Sequence, residues 1–173
     1  LGYEITLKFF SVSWDEAVKR DNARADGVGY AVLQKQWQEW LDLLQNRPDQ
    51  NPALPKAVIV DIDGTVAKMN NNRGPFEWHK VLGDVPNEPV CEMVRGLRAA
   101  GNFVLFTSGR DGICREQTLE WILREFPTFK EGEDFKLLMR PIADQRKDTE
   151  IKKEIFYNDI LPIYFVRFAI DDR

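Results

Sequence analysis

Three apolar runs in this chain each end in a short polar cluster: Val58-Ile59-Val60 before Asp61-Ile62-Asp63-Gly64-Thr65, Phe103-Val104-Leu105-Phe106 before Thr107-Ser108-Gly109-Arg110, and Phe165 to Ile170 before Asp171-Asp172-Arg173. Short apolar runs alternating with helical patterns read as buried parallel strands, and an open parallel sheet places its ligands beyond the carboxyl ends of the strands. The pattern therefore predicts an α/β enzyme in which all three polar clusters meet at one sheet edge.

The segments between the runs carry helical periodicity. Val90, Met93, Val94 and Leu97 form one stripe, closed by Gly101-Asn102, and Leu119, Ile122, Leu123 and Phe126 form another, ended by Pro127. Phe135 to Met139 predicts a further strand. Lys147 to Tyr157 predicts a polar-faced helix with Ile151 and Ile155 turned inward. Ahead of this unit, Tyr3 to Phe10 predicts a strand, and Ser13-Trp14-Asp15-Glu16 is a capping-box pattern that starts a short helix through about Arg24. A second helix carries Leu33, Trp37, Trp40, Leu41 and Leu44 on one stripe, which favours a core role for the tryptophans over base stacking. The three prolines and the turn formers between Asn46 and Pro55 mark a linker. The expected division is thus 1–45, a linker over 46–55, and a catalytic unit over 56–173. Because the sequence opens on Leu1 before a strand and stops at Arg173 just after one, the expectation is a piece of a longer polypeptide, truncated at its carboxyl end.

Composition narrows the chemistry. Neither a membrane-spanning apolar stretch nor a signal-peptide pattern is present in the sequence, so a cytoplasmic protein without membrane association is expected. Cys91 and Cys114 lack CxxC spacing, which predicts reduced thiols and makes any metal oxygen-bound. The net charge of −4 argues against broad nonspecific nucleic-acid binding, while leaving room for a local basic cluster that holds a phosphorylated end.

Asp61 and Asp63, two residues apart, would face opposite sides of an extended strand; a turn at Gly64 can bring the second back toward the first. Such carboxylates, with further aspartates from another strand, suit Mg²⁺, and Asp61 could then serve as a nucleophile toward phosphate. An ordinary turn is the plain alternative for Asp-x-Asp-Gly. An EF-hand loop is not, because that register puts Val66 where glycine is needed and Asn72 where glutamate is needed.

Taken together, Asp61-Ile62-Asp63-Gly64-Thr65, Ser108, a downstream lysine and Asp171-Asp172 resemble the four motifs of the haloacid dehalogenase (HAD) phosphatases. A closer resemblance runs through Lys56 to Thr65, Ala67-Lys68-Met69-Asn70, Arg73-Gly74-Pro75, Ser108-Gly109-Arg110, Arg146-Lys147-Asp148, Lys153 to Phe156 and Ala169 to Arg173. These segments are similar to the 3′-phosphatase domain of bacteriophage polynucleotide kinase/phosphatases. The resemblance implies a HAD-like (Rossmann-like) parallel sheet with helices on both faces and a small insert after the first motif. It implies removal of a 3′-phosphate, or a 2′,3′-cyclic phosphate, from RNA or DNA ends through an aspartyl-phosphate. Asp61 would be the nucleophile, Asp63 the acid/base, and Ser108 and Lys152 the phosphate ligands. Arg73, Arg110, Arg140 and Asp148 would complete the site, and Asp61, Asp63, Asp171 and Asp172 would hold Mg²⁺. Extra asparagines precede Arg73 in this sequence. A nucleic-acid ligase in the same pathway and self-association are further implied partners, and a phage-encoded enzyme would work in the host cytoplasm.

By the same resemblance, residues 3–45 are similar to the end of a P-loop kinase domain, a strand plus two helices, with Arg20 and Arg24 as lid arginines. No Gly-x-x-x-x-Gly-Lys-Ser/Thr loop occurs in this sequence, so kinase activity is not expected of it. Two other functions stay open at this level: a HAD phosphatase acting on free nucleotides or another small phosphometabolite, and a noncatalytic scaffold that binds ends or mediates assembly.

Overall fold

A computed structural model describes residues 12–45, 48–70 and 73–172, and its contacts divide the chain into two units, Leu1–Asp49 and Gln50–Arg173. The strand expected at Tyr3 to Phe10 lies outside the described residues, as do the side chains of Trp40 and Leu44 and all of Arg173.

In the first unit, α1 (Trp14–Asn22) begins as the capping box predicts: the Ser13 hydroxyl accepts from the Glu16 amide at 3.3 Å. The helix stops at Asn22, short of Arg24. The Asp21 carboxylate caps the following turn, accepting from the amides of Val28 and Gly29 at 2.8 Å each. In α2 (Tyr30–Gln45), Trp37 sits against Trp14, ring centroids 5.6 Å apart. Arg20 is exposed and pairs with Glu16 one turn back, and Arg24 pairs with Asp26. Both arginines are therefore solvent-exposed and paired with an acidic neighbour close in sequence, Arg20 on α1 and Arg24 in the turn after it.

The second unit is built on a four-stranded, all-parallel sheet. Its strands are β1 (Lys56–Asp61), β4 (Phe103–Asp111), β5 (Phe135–Arg140) and β6 (Phe165–Ile170), in the spatial order β5-β4-β1-β6. The crossovers are α3 (Glu88–Ala99), α4 (Arg115–Glu125) and α5 (Asp148–Ile155). Side chains alternate across the sheet, as the strand period requires. Val58, Val60, Val104 and Phe106 pack with Cys91, Val94, Trp121, Ile122 and Phe126 on the α3/α4 face. Ala57 and Leu105 pack with Ile151, Ile155 and Ile160 on the α5 face. Buried on both faces, the strands had to be near-continuous apolar runs.

Several boundaries differ from expectation. Met93 and Leu123 are exposed; Cys91 and Val94 fill the inner face of α3, and Thr118, Trp121 and Ile122 that of α4. α5 ends at Ile155 and passes into a wider π turn, Phe156–Ile160, which seats Ile160 in the core. β4 runs on to Asp111, with a register irregularity between Ser108 and Asp111, so the second polar cluster is part of the strand. The residues between Asn46 and Pro55 are joined to the sheet at two points. The Gln50 side chain exchanges hydrogen bonds with the backbone of Val166, and the Phe165 amide donates to the Pro55 carbonyl at 2.9 Å.

The insert after β1 is small. It holds the antiparallel pair β2 (Ala67–Lys68) and β3 (Val85–Pro86) with a 3-10 helix, Trp78–Gly83, between them.

Candidate active site at the carboxyl edge of the sheet

Parallel register brings the strand ends together. Asp61 pairs with Thr107 of β4, and its predecessor Val60 pairs with Ile170 of β6, so the segments bearing Asp61, Ser108 and Asp171 leave the sheet side by side.

Asp61 is almost wholly buried. One carboxylate oxygen accepts from Lys152 Nζ at 2.6 Å and the other from the Thr65 hydroxyl at 3.4 Å. Burial pushes the Asp61 carboxyl up from the ordinary carboxylate range, and the Lys152 ammonium pulls it back in part. Lys152 projects from α5 and also reaches Asp171 at 3.1 Å and Asp148 at 3.5 Å. Burial works against its charge, but the hydrogen bonds and charges of Asp61, Asp171 and Asp148 together outweigh it and hold the ammonium above its ordinary value.

Gly64 makes the turn that the carboxylate pair needs. Its φ is +84°, and its amide donates to the Ala67 carbonyl at 2.9 Å. A Cβ there would lie 2.2 Å from an oxygen of Asp172, so the absent side chain also makes room for the third cluster. Gly109 does the same for Asp148, whose Oδ1 would be 1.9 Å from an added Cβ.

One oxygen from each of Asp61, Asp171 and Asp172 falls in a group whose members all lie within 4.8 Å of one another. An all-carboxylate donor set suits a hard divalent cation such as Mg²⁺ rather than a thiolate- or imidazole-seeking metal. The Asp63 carboxylate, expected among the metal ligands, is not in this group. It turns toward the insert, where it accepts from Arg110 Nε at 2.9 Å and Nη2 at 2.8 Å, from Arg73 at 3.3 Å and from the Ser108 hydroxyl at 3.1 Å.

Arg73 and Arg110 are themselves gripped by Asp84, a residue the sequence reading missed. Arg73 Nε and Nη2 donate to the two Asp84 oxygens at 2.5 and 2.7 Å, and Arg110 Nη2 donates to one of them at 2.7 Å. The Asp84 carboxylate and the Arg110 guanidinium are fully buried, and the Arg73 side chain is 3 % exposed. Asp84 holds the Arg73 guanidinium above its ordinary range, against the pull of burial. The Trp121 indole donates to the Asp84 carbonyl at 2.8 Å, anchoring the cluster to α4. A lone aspartate just after a 3-10 helix carries no motif, so only the charge count around two buried arginines could have pointed to it.

Ser108 is buried, donating to Asp63 and accepting from the Arg110 amide. Arg140 donates to the carbonyls of Gly109 (2.8 Å), Asp144 (3.1 Å) and Arg146, and lies 3.7 Å from Asp148. It thereby braces the loop between β5 and α5. Arg73, Arg110, Arg140 and Asp148 line, with Asp61 and Asp63, a cavity of about 450 Å³ whose remaining wall includes Met69, Pro75, Phe76 and Trp78.

Residues 55–173 match the family model of the polynucleotide kinase PNKP phosphatase domain, a HAD family. A protein of Autographa californica nuclear polyhedrosis virus that carries the name of a bifunctional polynucleotide kinase/RNA ligase is 30 % identical over 178 residues, covering 99 % of this chain and 25 % of its own length. A chain in a solved Pnkp1/Rnl/Hen1 complex is 38 % identical, with a TM-score of 0.63 over 72 % of this chain and 41 % of that one. A second, in the Pnkp1/Rnl/Hen1 RNA repair complex, is 30 % identical with a TM-score of 0.64 over 92 % of this chain and 54 % of that one. The chain thus spans a quarter of the curated relative and about two fifths and one half of the two solved relatives. With the family model spanning the whole sheet and every strand-end cluster, this chain belongs to the HAD family of polynucleotide kinase phosphatase domains.

Proposed function

We propose that the site removes the terminal phosphate from 3′ ends of RNA or DNA, working on 3′-phosphate or 2′,3′-cyclic phosphate as part of an end-repair enzyme. The observation that carries this reading is the arrangement around Asp61. A buried carboxylate at a strand end is neutralised by Lys152 and faces a cavity lined by a second carboxylate, Asp63, in the grip of two arginines.

In the proposed reaction on a 3′-phosphate, an Asp61 oxygen attacks phosphorus, forming an aspartyl-phosphate as the bond to the ribose oxygen breaks; a 2′,3′-cyclic phosphate needs a first round of attack and hydrolysis that opens the ring to a monoester. Asp63 gives a proton to that oxygen, then takes one from the water that cleaves the intermediate and releases inorganic phosphate. Ser108, Arg110 and Arg73 fix the rotamer of Asp63 for both transfers. Lys152 lessens the repulsion between the Asp61 carboxylate and an incoming phosphate. Asp61, Asp171 and Asp172 would hold Mg²⁺, which supplies charge neutralisation at the phosphoryl oxygens when bound.

RNA ends and a ligase acting on the product are favoured by the company of the relatives. Two solved relatives come from Pnkp1/Rnl/Hen1 complexes, one titled an RNA repair complex, and the viral relative's name joins a polynucleotide kinase to an RNA ligase. Among the described residues no helix is long and apolar enough to cross a membrane.

Asp61→Asn tests the reading. The variant should fold as the parent does and release no phosphate from a 3′-phosphorylated oligonucleotide; retained turnover would refute a covalent role for Asp61. Faster release from a 3′-mononucleotide than from the oligonucleotide would point instead to a small-metabolite phosphatase.

A further inference from the structure

The aromatic wall of the catalytic cavity has no part in the chemistry above. Phe76 is 81 % exposed, more than any other large apolar side chain among the described residues. Its ring meets Trp78 edge to face, centroids 5.9 Å apart at 86°. Both rings line the catalytic cavity beside Asp61 and Arg110, and both also line a second cavity of about 280 Å³ completed by His79, Ile113, Cys114 and Gln117. Ile113 is itself 66 % exposed. A large aromatic ring left in water beside a charged cavity marks a contact surface, because burying it later is favourable.

Gln117 adds a polar signal. Its Oε1 is buried with no hydrogen-bond partner among the described residues. Buried acceptors are nearly always paired, so an unpaired one beside a cavity needs an explanation. Turning this amide toward a ligand gives up no bond of that oxygen.

We infer that the second cavity is a nucleobase subsite, receiving the base of the nucleotide whose 3′-phosphate sits at Asp61. Resting on the phosphatase reading above, the subsite names what the enzyme requires beyond a phosphate ester. Phe76 and Trp78 wall both cavities, so the second cavity adjoins the one that Asp61 lines. Phe76, open to solvent, supplies the ring on which the base stacks, and the Gln117 amide, turned toward it, accepts an N–H from the base edge. Every base has a π-face and an N–H on its pairing edge, so the subsite demands a base while tolerating any sequence.

The test compares kcat/KM for two 3′-phosphorylated strands, one ending in an ordinary nucleotide and one in an abasic residue. The parent protein should prefer the base-bearing end by about 5- to 150-fold, the range that loss of one aromatic stacking partner produces. Phe76→Ala and Phe76→Leu should lower this ratio severalfold, and Phe76→Tyr should keep it. Phe76 is too exposed for these substitutions to unfold the domain. A ratio near one in the parent, or an unchanged ratio in Phe76→Ala, overturns the subsite; this includes the case in which Phe76 instead contacts another protein. If neither strand is hydrolysed, the phosphatase reading fails, and the subsite is judged by binding. Fluorescence of a terminal 2-aminopurine should then be quenched on Asp61→Asn and recover when Phe76→Ala is added, whereas absence of quenching overturns the inference.

Discussion

Loss of the Asp84 charge should cost the second unit a large part of its stability. Its carboxylate is completely buried and receives three charge-assisted hydrogen bonds, two from Arg73 and one from Arg110. Asp84→Asn keeps the volume and removes the charge. The two buried guanidinium groups would then share Asp63 as their remaining carboxylate partner among the described residues. Breaking a buried ion pair from one side costs about 3–5 kcal/mol, because a charge is left desolvated and uncompensated. With a urea slope of about 2 kcal/mol per molar, the unfolding midpoint should fall by about 1.5–2.5 M. Total stabilities of about 5–15 kcal/mol leave such a variant marginal. Urea titration followed by tryptophan fluorescence measures the shift, since Trp121 donates to the Asp84 carbonyl. Removing one guanidinium as well, in Asp84→Asn with Arg73→Gln, should restore part of the loss through a coupling of about 0.5–3 kcal/mol. A midpoint shift below about 0.5 M, which is about 1 kcal/mol at that slope, would refute the clamp, as would strict additivity of the two substitutions.

Gly64→Ala places a side chain at φ +84° and 2.2 Å from Asp172; a stability loss of about 1–2 kcal/mol from the backbone alone is expected, with a weakened response to Mg²⁺ as Asp172 is displaced. Thermal melts and a Mg²⁺ titration of activity measure the two effects. Chelation of divalent cations should abolish phosphate release and added Mg²⁺ should restore it, given the cluster of Asp61, Asp171 and Asp172; full activity after exhaustive chelation would contradict that assignment. Burial pushes the Cys91 thiol up to about 11, so at pH 8 the folded protein should resist alkylation there and the urea-unfolded chain should react. Because the folded value lies above the ordinary one, the contribution of Cys91 to stability is intact below about pH 9 and is lost as pH rises toward 11.

Much of the site was legible because its chemistry is tied to strand ends. Asp61, Ser108 and Asp171 each follow an apolar run, and parallel pairing can only bring such ends to the same edge. Lys152 was harder to separate from its neighbours on a polar helix; packing selects it, since Ile151 and Ile155 must face the sheet and Lys152 is then carried to Asp61. The misjudged helix faces have a similar cause. Met93 and Leu123 fit an apolar stripe, yet the sheet is better filled by Cys91 and Trp121, which touch it directly.

By itself the sequence determined the parallel α/β architecture, because strands buried on both faces must be written as unbroken apolar runs. It also determined the order of the three polar clusters at the strand ends, which the chain carries as contiguous residues. Only the tertiary structure decided which charges neutralise which. Asp63 faces Arg73, Arg110 and Ser108 rather than the other carboxylates, Asp84 joins the two arginines from a distant turn, and Phe76 with Trp78 stands between two cavities. These pairings join residues up to 47 positions apart, and burial gives them their strength. A linear pattern records neither the distance between two charges nor the water that has been removed from around them.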